Sequence, residues 1–379
     1  MITDPSGVFV VLAVVVFLAV WLETKHSIFR SLGAALVGIL IGMVLSNLGV
    51  IPGESPTYDF LMGPAISVGI ALILLSVDVR SIMQAGPMML AAFLIGAVGT
   101  ALGAIVGGLT LGSLVGPETW KLAGQYTGTY TGGGVNFAAL GQALDTSSDM
   151  FTAATAADVI VTAIWMAACL SVPLLFKSRV RPADAGAMPG DQKGDTLEHS
   201  LYNSLKAVPL SDAAALVAIA VGAVWLSGLL GEVMPILPDV LWLTTVVLLV
   251  AQIPAIKNLT GSALWGNYLL LLFLASNGAR SVIANIVNVG PAVFYYALVT
   301  VAIHGVIIFG LGWLLRIDGP TLAVASQANV GGAGSAMALA GARGYSKQLL
   351  PGVAVSLFGY AVGNYSGFAV ASLMRNLIG

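Results

Sequence analysis

The sequence predicts an all-α integral membrane protein with about ten transmembrane helices, and its composition and patterning both support that class. Of its 379 residues, 58% are hydrophobic and only 8% are charged, whereas a soluble domain carries about 25% charged residues. Ten apolar runs approach or reach the roughly 20 residues that a bilayer-spanning helix needs. This composition excludes a water-soluble enzyme, a nucleic-acid binder and a disordered scaffold.

The predicted spans form two sets of five. The first set lies near residues 7–22, 31–50, 60–77, 86–113 and 150–176. The second set lies near residues 211–230, 239–256, 264–279, 290–315 and 349–374. Between the sets, residues 177–210 carry nine charged side chains, which predicts a water-exposed linker. The start of the chain is acidic rather than basic, so we expect no signal peptide, and the single cysteine, Cys169, excludes a disulfide within the chain.

Two further segments, 117–146 and 318–344, are too rich in Gly, Thr, Ser, Asn and Gln for lipid-facing helices. If each segment enters and leaves the membrane on the same side, twelve of the fifteen Lys and Arg residues fall on one side; if each crosses, only six do. Because cytoplasmic loops carry an excess of Lys and Arg, we expect two re-entrant hairpins, a cytoplasmic linker and an N-terminus outside the cell. Broken helices that cross fully are the alternative.

The two halves of the sequence match at corresponding positions, which predicts an internal repeat. Gly132-Gly133 corresponds to Gly331-Gly332 with an offset of 199, and residues 76–81 correspond to 276–281 with an offset of 200. We expect one repeat over 1–176 and a second over 211–379. Each would cross the membrane an odd number of times, so the second would be inverted. Inverted repeats with discontinuous helices are typical of secondary transporters; the alternative is chance similarity among small-residue helices.

Both irregular segments carry consecutive glycines beside hydroxyl and amide side chains, a pattern that predicts bare backbone groups within the membrane. Consecutive glycines end a helix, and each unpaired N–H or C=O group in hydrocarbon costs several kcal/mol. Free N–H groups at a half-helix N-terminus attract an anion such as a carboxylate, whereas free carbonyls and hydroxyls suit Na⁺. The alternative is tight glycine packing between two ordinary helices.

These considerations select two sets of candidate residues. The expected substrate-binding residues are Thr131, Gly132, Gly133, Gly134, Asn136, Asn329, Gly331, Gly332, Gly334 and Ser335. The expected ion-coupling residues are Thr127, Thr129, Asp158, Ser326, Gln327 and Asn364. Na⁺ is a candidate ion at Asp158, Thr129 and Asn329, and we expect no other cofactor.

Asp158 is the only carboxylate deep inside a predicted span. A charge at the bilayer centre costs about 2.5–3.5 kcal/mol, which favours a functional role. We expect a coupling-ion ligand or a proton carrier, the alternative being a structural partner of the broken backbone. Arg280 is interpreted as a snorkelling anchor or as an attractor of an anionic substrate. His304, in mid-span, is either a proton relay or a residue bonded to a neighbouring carbonyl, and Asp78 with Arg80 predicts an interfacial ion pair.

We expect no enzyme. The sequence has no His-Glu-x-x-His motif and no phosphate-binding P-loop. Tyr58-Asp59 and Gly190-Asp191 superficially resemble the motifs of intramembrane aspartyl proteases, but one lies at a predicted membrane edge and the other in the linker.

Three stretches carry a family resemblance. Residues 130–140, residues 326–333 and the helix around Asp158 resemble the YjcL-type family of bacterial membrane proteins of unknown function, and the similarity covers nearly the whole chain. More distantly, the organisation is similar to the sodium–glutamate symporters and the 2-hydroxycarboxylate transporters, whose two re-entrant loops carry a Gly-Gly-x-Gly motif. Residues 331–334 match that motif, and residues 132–135 depart from it at the fourth position. The resemblance implies an elevator-type carrier of a small organic anion.

We therefore expect an ion-coupled secondary transporter of the inner membrane, driven by Na⁺ or H⁺ and taking a small anionic or zwitterionic solute. Its hairpins would meet near the bilayer midplane beside Asp158. The core that carries them would move against a scaffold of the other spans, which by analogy pairs two protomers in a homodimer. A cation/proton antiporter that uses Asp158 and a non-transporting membrane scaffold or receptor are the alternatives. No nucleic-acid partner is expected.

Overall fold

The computed structural model describes residues 1–77, 85–175 and 208–378, and the regular elements in these ranges are all helical. The predicted Asp78–Arg80 pair and residues 177–207 of the predicted linker lie outside the described residues. Each of the ten predicted spans coincides with a helix. Seven helices of the described chain are long and apolar enough to cross a membrane. The structure agrees with an all-α membrane protein, and the number of crossings stays a prediction.

The first half of the described chain contains seven helices. They are α1 Pro5–Lys25, α2 Ser27–Asn47, α3 Pro56–Leu75, α4 Gly86–Val115, α5 Thr119–Gly132, α6 Gly134–Ala143 and α7 Ser148–Leu175. Helix α3 contains a π-helical turn around Pro64, which has no N–H to donate. The Gly63 carbonyl beside it accepts hydrogen bonds from Ser67 Oγ at 3.0 Å and from Gln142 Nε2 at 3.2 Å.

The second half repeats this order of elements, with one short helix added. Its members are α8 Leu210–Val233, α9 Asp239–Ala251, α10 Pro254–Lys257, α11 Ser262–Arg280, α12 Ile283–Leu314, α13 Gly319–Arg343 and α14 Ser346–Ile378. If the short α10 is set aside, three helices in each half precede a long helix, and a broken helix and a final long helix follow it. The division into two repeats and their inversion stay predictions.

The longer helices pack into two groups. Helices α1, α2, α3, α8, α9 and α11 contact mainly one another, and we call them the scaffold group. Helices α4 to α7 and α12 to α14 form the second set, which we call the hairpin group. Polar contacts join the groups at a few places, including Gln142 Nε2 to Ser67 Oγ at 3.0 Å and Asn364 Nδ2 to Thr244 Oγ1 at 3.1 Å.

Within the hairpin group, helices α5 and α14 pack antiparallel along a stripe of glycines. The stripe consists of Gly124, Gly128 and Gly132 opposite Gly367, Gly363 and Gly359. A Cβ on Gly132 would overlap the Gly359 carbonyl group, and a Cβ on Gly124 would lie 2.8 Å from the Gly367 oxygen. The absence of side chains therefore lets the two backbones touch, as in small-residue interfaces of membrane helices.

Candidate functional site

Helices α5 and α6 form a helical hairpin whose tip is Gly133. Gly133 has φ 98° and ψ −177°, a backbone conformation that is essentially restricted to glycine. Beyond the tip the chain folds back along α5, so that Asn136 Nδ2 donates to the Gly128 carbonyl at 3.3 Å. At the base of the hairpin, Lys121 Nζ donates to the Asp145 carbonyl at 2.5 Å. Segment 117–146 is thus a hairpin in the fold; whether it is re-entrant in a bilayer stays a prediction.

Helix α13 is interrupted at the corresponding position. Gly332 has φ 74° and ψ −168°, close to the values at Gly133. Ser335 Oγ lies 3.5 Å from the Gln327 carbonyl and donates to the Gly332 carbonyl at 3.1 Å. The contact between Ser335 and Gln327 spans eight residues, as does the bond from Asn136 to Gly128, and the two pairs are related by the offset of 199 found in the sequence.

The two glycine breaks contact each other. A Cβ built on Gly133 would lie 3.7 Å from the Cα of Gly332, and one built on Gly332 would lie 3.9 Å from the Gly132 oxygen. Two interrupted helices from opposite halves of the chain therefore meet at their breaks.

A cavity of about 510 Å³ lies at this meeting point, between the hairpin and scaffold groups. The hairpin group contributes Asp158 and the glycines of both breaks, namely Gly133, Gly134, Gly331, Gly332 and Gly334. The scaffold group contributes polar Ser262 and Asn267 together with apolar residues of α11. Asp158 is the only charged side chain among the described residues that line it. The volume lies in the range of sites for small organic ligands.

The carboxyl group of Asp158 has one weak hydrogen bond in the described chain. Thr162 Oγ1 donates to Asp158 Oδ1 over 3.4 Å. The Tyr130 hydroxyl lies near the same carboxyl group, but no partner lies within hydrogen-bonding distance of that hydroxyl among the described residues. Asp158 is thus available to bind a proton, a cation or a solute from the cavity.

Eight buried polar side-chain atoms lack a hydrogen-bond partner among the described residues. They are Thr129 Oγ1, Tyr130 Oη, Thr131 Oγ1, Asn136 Oδ1, Gln327 Nε2, Gln327 Oε1, Asn329 Oδ1 and Asn364 Oδ1. All but the last belong to the two broken segments, and Asn364 lies on α14. A buried polar group left unsatisfied costs about 1–3 kcal/mol. Such a concentration of unpaired atoms, mostly oxygens, is typical of a site that a ligand or an ion completes.

Comparison with known sequences agrees with this architecture. A family model described as a protein of unknown function (DUF819) matches residues 8–377. The chain belongs to the DUF819 family. The uncharacterized membrane protein YjcL of Bacillus subtilis (strain 168) is 29% identical over 372 residues, which cover 93% of each chain. The resemblance to the YjcL-type family is thereby confirmed, and a membrane location agrees with the seven apolar helices.

The structure divides the expected substrate-binding residues of this DUF819 chain into two sets. Five glycines of the breaks line the cavity: Gly133, Gly134, Gly331, Gly332 and Gly334. The other five do not line it: Thr131, Gly132, Asn136, Asn329 and Ser335. Asn136 Nδ2 instead donates to the Gly359 carbonyl at 2.9 Å, and Asn329 Nδ2 to the Phe93 carbonyl at 3.1 Å. These two amides are thus turned toward neighbouring helices of the hairpin group.

The expected ion-coupling residues also differ in their surroundings. Asp158 lines the cavity, and Thr129, Gln327 and Asn364 carry unpaired atoms. Thr127 Oγ1 donates to the Ala123 carbonyl at 2.7 Å, one turn back in its own helix, so its hydroxyl hydrogen is already used. For the suggested Na⁺ ligands, Thr129 and Asn329 are buried behind the breaks and only Asp158 reaches the cavity.

Ser326, the remaining residue of that set, belongs to a buried chain of hydrogen bonds around His304. His304 Nδ1 lies 2.9 Å from the Gly96 carbonyl, which can only accept, so in the neutral ring Nδ1 carries the proton. His304 Nε2 then accepts from the Ser326 hydroxyl at 2.9 Å, and Ser326 Oγ accepts from Trp165 Nε1 at 3.0 Å. Of the two interpretations of His304, the bond to a neighbouring carbonyl is thus the one that these distances support.

The same chain reaches the first hairpin. Thr100 Oγ1 lies 3.0 Å from His304 Nδ1 and donates to the Tyr130 carbonyl at 2.8 Å. Tyr130 precedes the Gly133 tip by three residues, and Ser326 precedes the Gly332 break by six. His304 therefore stands between the two broken segments and helps to hold them together.

Several residues around the cavity were not identified from the sequence. Phe137, Asn267 and Tyr360 line it; Phe137 lies within the motif of residues 130–140 but was not given a role, and no local motif marks the other two. Tight glycine packing, the alternative considered for the irregular segments, is present between α5 and α14, and the four-residue spacing of Gly124, Gly128 and Gly132 is its signal in the sequence.

Proposed function

We propose that this protein is a secondary transporter that carries a small organic anion or amino acid across the inner membrane, coupled to Na⁺ or H⁺. The observation that supports it best is the contact of the Gly133 and Gly332 breaks beside a cavity that contains Asp158. Carriers built from repeats bind their solutes where discontinuous helices expose backbone groups. The two breaks and the carboxyl group supply the same elements in this fold.

The charges at the cavity give a physical reason for coupling. Helix α6 begins at Gly134, and the second half of α13 begins after Gly332, so two half-helix N-termini adjoin the cavity and favour a carboxylate there. An ionised Asp158 on the same wall would repel that carboxylate. A proton on Asp158, or Na⁺ near it, removes the repulsion. Cation and solute then each lower the cost of binding the other.

The division into scaffold and hairpin groups supports an elevator motion. The cavity lies between the groups, so sliding the hairpin group would carry the two breaks and Asp158 along the scaffold. The cavity adjoins Val208 and Gly261. In the topology proposed from the basic residues, with a cytoplasmic linker and an outside N-terminus, that end faces the cytoplasm. The scaffold group would then pair two protomers in a homodimer.

A cation/proton antiporter is the second candidate. It is favoured by Asp158 as the only charged side chain lining the cavity in the described chain and by the unpaired oxygens behind the breaks. Such a protein would exchange Na⁺ for H⁺ at these groups and bind no organic solute.

Thermal stability of the purified protein distinguishes these functions. The detergent-solubilised protein would be heated with a panel of small carboxylates and amino acids, each with and without Na⁺ and at two pH values. Stabilisation by one solute that depends on Na⁺ or on pH supports solute transport, and uptake of that solute into proteoliposomes would then be measured. Stabilisation by Na⁺ and pH alone supports the antiporter. No response to any of these, together with no flux, would overturn both and favour a non-transporting role.

A further inference from the structure

A second cavity, of about 240 Å³, also lies between the scaffold and hairpin groups. The first cavity contacts α11 from Ser262 at its start to Leu274, whereas the second contacts Phe273, Asn277 and Arg280 toward its C-terminal end, so the two sets of contacts adjoin at Phe273 and Leu274. Its remaining wall comes from three places. Asp59, Met62 and Gly63 lie at the turn of α3, Gly141, Gln142, Asp145 and Thr146 at the base of the first hairpin, and Phe151 at the start of α7. The two cavities thus occupy opposite ends of one interface.

Three phenylalanines separate the two cavities. Phe137 lines the first cavity, and Phe151 and Phe273 line the second. The ring centroids of Phe137 and Phe151 are 4.7 Å apart, and those of Phe151 and Phe273 are 5.4 Å apart. None of the three is more than 3% exposed. The rings come from both groups, since Phe273 belongs to the scaffold, so relative motion of the groups would separate them.

Arg280 is the only basic side chain of the described chain that lines either cavity. Its guanidinium contacts Met62 Sδ at 3.1 Å and Asp59 Oδ1 at 3.6 Å. A thioether is a weak acceptor, and the Asp59 side chain is 78% exposed, so the pair is loose. The guanidinium has five N–H donors in a fork that fits a carboxylate. Its contacts in the described chain leave most of those donors available to a ligand.

We propose that the Arg280 cavity is the second mouth of the transport path and that Arg280 binds the carboxylate of the solute there. The Phe137–Phe151–Phe273 cluster is the barrier between the two mouths. Asp59 and Asp145 line the same cavity and would repel an anion, so the Arg280 guanidinium is the charged group of its described lining that attracts an anionic head. This inference rests on the proposed function, and it replaces the snorkelling role of Arg280 with a binding role.

Cysteine labelling tests the position of the two mouths. The native Cys169 is fully buried, so labelling in a variant with one introduced cysteine reports the introduced residue. Gln142→Cys would report the second cavity and Asn267→Cys the first, since both side chains are half-buried and line them. With membrane-impermeant thiosulfonate reagents added to vesicles of known orientation, the two cysteines should react from opposite sides. Reaction of both from the same side would overturn the proposal.

The aromatic barrier is tested in the Gln142→Cys and Asn267→Cys variants. Phe151→Ala should make each cysteine reactive from both sides, because it removes the ring that contacts the other two. Phe294→Ala is the matched control, since Phe294 is a partly buried ring that lines neither cavity. If Phe151→Ala does not fold, Phe273→Ala replaces it as the barrier variant. One-sided labelling in a folded barrier variant would show that the cluster does not separate the mouths.

The binding role of Arg280 is tested by reagent charge. At Gln142→Cys, the ratio of the rates for a sulfonate reagent and a trimethylammonium reagent should fall about fivefold in Arg280→Gln and stay high in Arg280→Lys. The ratio at Asn267→Cys should not change. An unchanged ratio at Gln142→Cys would reject the anion site.

These readouts need no transported solute. Opposite-side labelling without any solute flux would reject the proposed function alone. Solute flux with same-side labelling would reject only the second mouth.

Discussion

Gly133 and Gly332 lie in contact although 199 residues separate them, and both have a positive φ. Among the described residues, a Cβ on Gly133 would meet only ordinary van der Waals neighbours, the Gly332 Cα at 3.7 Å and Tyr360 Cε1 at 3.9 Å. The need for glycine at Gly133 is therefore conformational rather than steric. Breaking two helices at one point places their bare backbone ends beside the same cavity.

Gly133→Ala should destabilise the protein by about 1–3 kcal/mol, the cost of holding a side-chain-bearing residue in this backbone conformation. Gly134→Ala is the control, because Gly134 has no positive φ and no atom of the described residues lies within 4 Å of a Cβ built on it. Thermal unfolding of both purified variants would check this. Equal unfolding temperatures would mean that the break is not as strained as the dihedral angles indicate.

Thr129→Val should stabilise the protein in the absence of Na⁺ by about 1 kcal/mol, because it replaces a buried hydroxyl oxygen without a partner by a methyl group of similar shape. The same change should weaken any stabilisation by Na⁺. Thr127→Val, two residues earlier, removes a hydroxyl that donates to the Ala123 carbonyl, so it should destabilise slightly and leave the Na⁺ response intact. Thermal unfolding with and without Na⁺ gives both quantities; identical responses of the two variants would contradict an ion at Thr129.

Asp158→Asn should keep the fold and reduce coupled flux, because the cation should no longer raise the affinity for the solute, an effect of about 5- to 150-fold for a coupling free energy of 1–3 kcal/mol. The amide is nearly isosteric but neither titrates nor carries charge. Proteoliposome flux along a Na⁺ or pH gradient would measure the loss. Glu232→Gln, at an exposed helix end, removes a carboxylate far from the cavity and should transport normally. Wild-type flux in Asp158→Asn would remove Asp158 from the mechanism.

Ser326→Ala should destabilise the protein by about 1–3 kcal/mol, because Trp165 Nε1 and His304 Nε2 both lose their buried partner. Ser356→Ala is the matched control: Ser356 is equally buried, but within the described chain its hydroxyl donates only to the Gly352 carbonyl of its own helix. We expect a much smaller change there. Denaturation in detergent compares the two, and equal losses would show that the His304 chain adds nothing beyond a local bond.

The elements of this fold could be predicted because their signals are local. Each of the ten apolar runs coincides with a helix of the described chain, and paired glycines located both interruptions, at Gly133 and Gly332. The five glycines of the breaks line the cavity because a broken helix leaves the backbone groups at its ends without partners in the helix. Asp158 could likewise be singled out, since a carboxylate in an apolar run is conspicuous without any knowledge of its neighbours.

The partners of the polar side chains could not be predicted in the same way. Thr127 and Thr129 differ by two residues, yet one hydroxyl is bonded within its helix and the other is unpaired. Sequence gives both the same chemistry, whereas the packing around each side chain decides whether its hydroxyl turns to a carbonyl of its own helix. Asn136 and Asn329, expected at the cavity, are turned toward Gly359 and Phe93 for the same reason.

The sequence by itself determined the membrane class, the order of the helices, the two interruptions and the isolated carboxylate, because composition, run length and glycine placement act within a few residues. Only the tertiary structure decided that the two breaks touch, that Phe137 packs against Phe151, and that Arg280 faces a cavity. Those relations join segments far apart in the chain, and they depend on how whole helices pack rather than on any local preference.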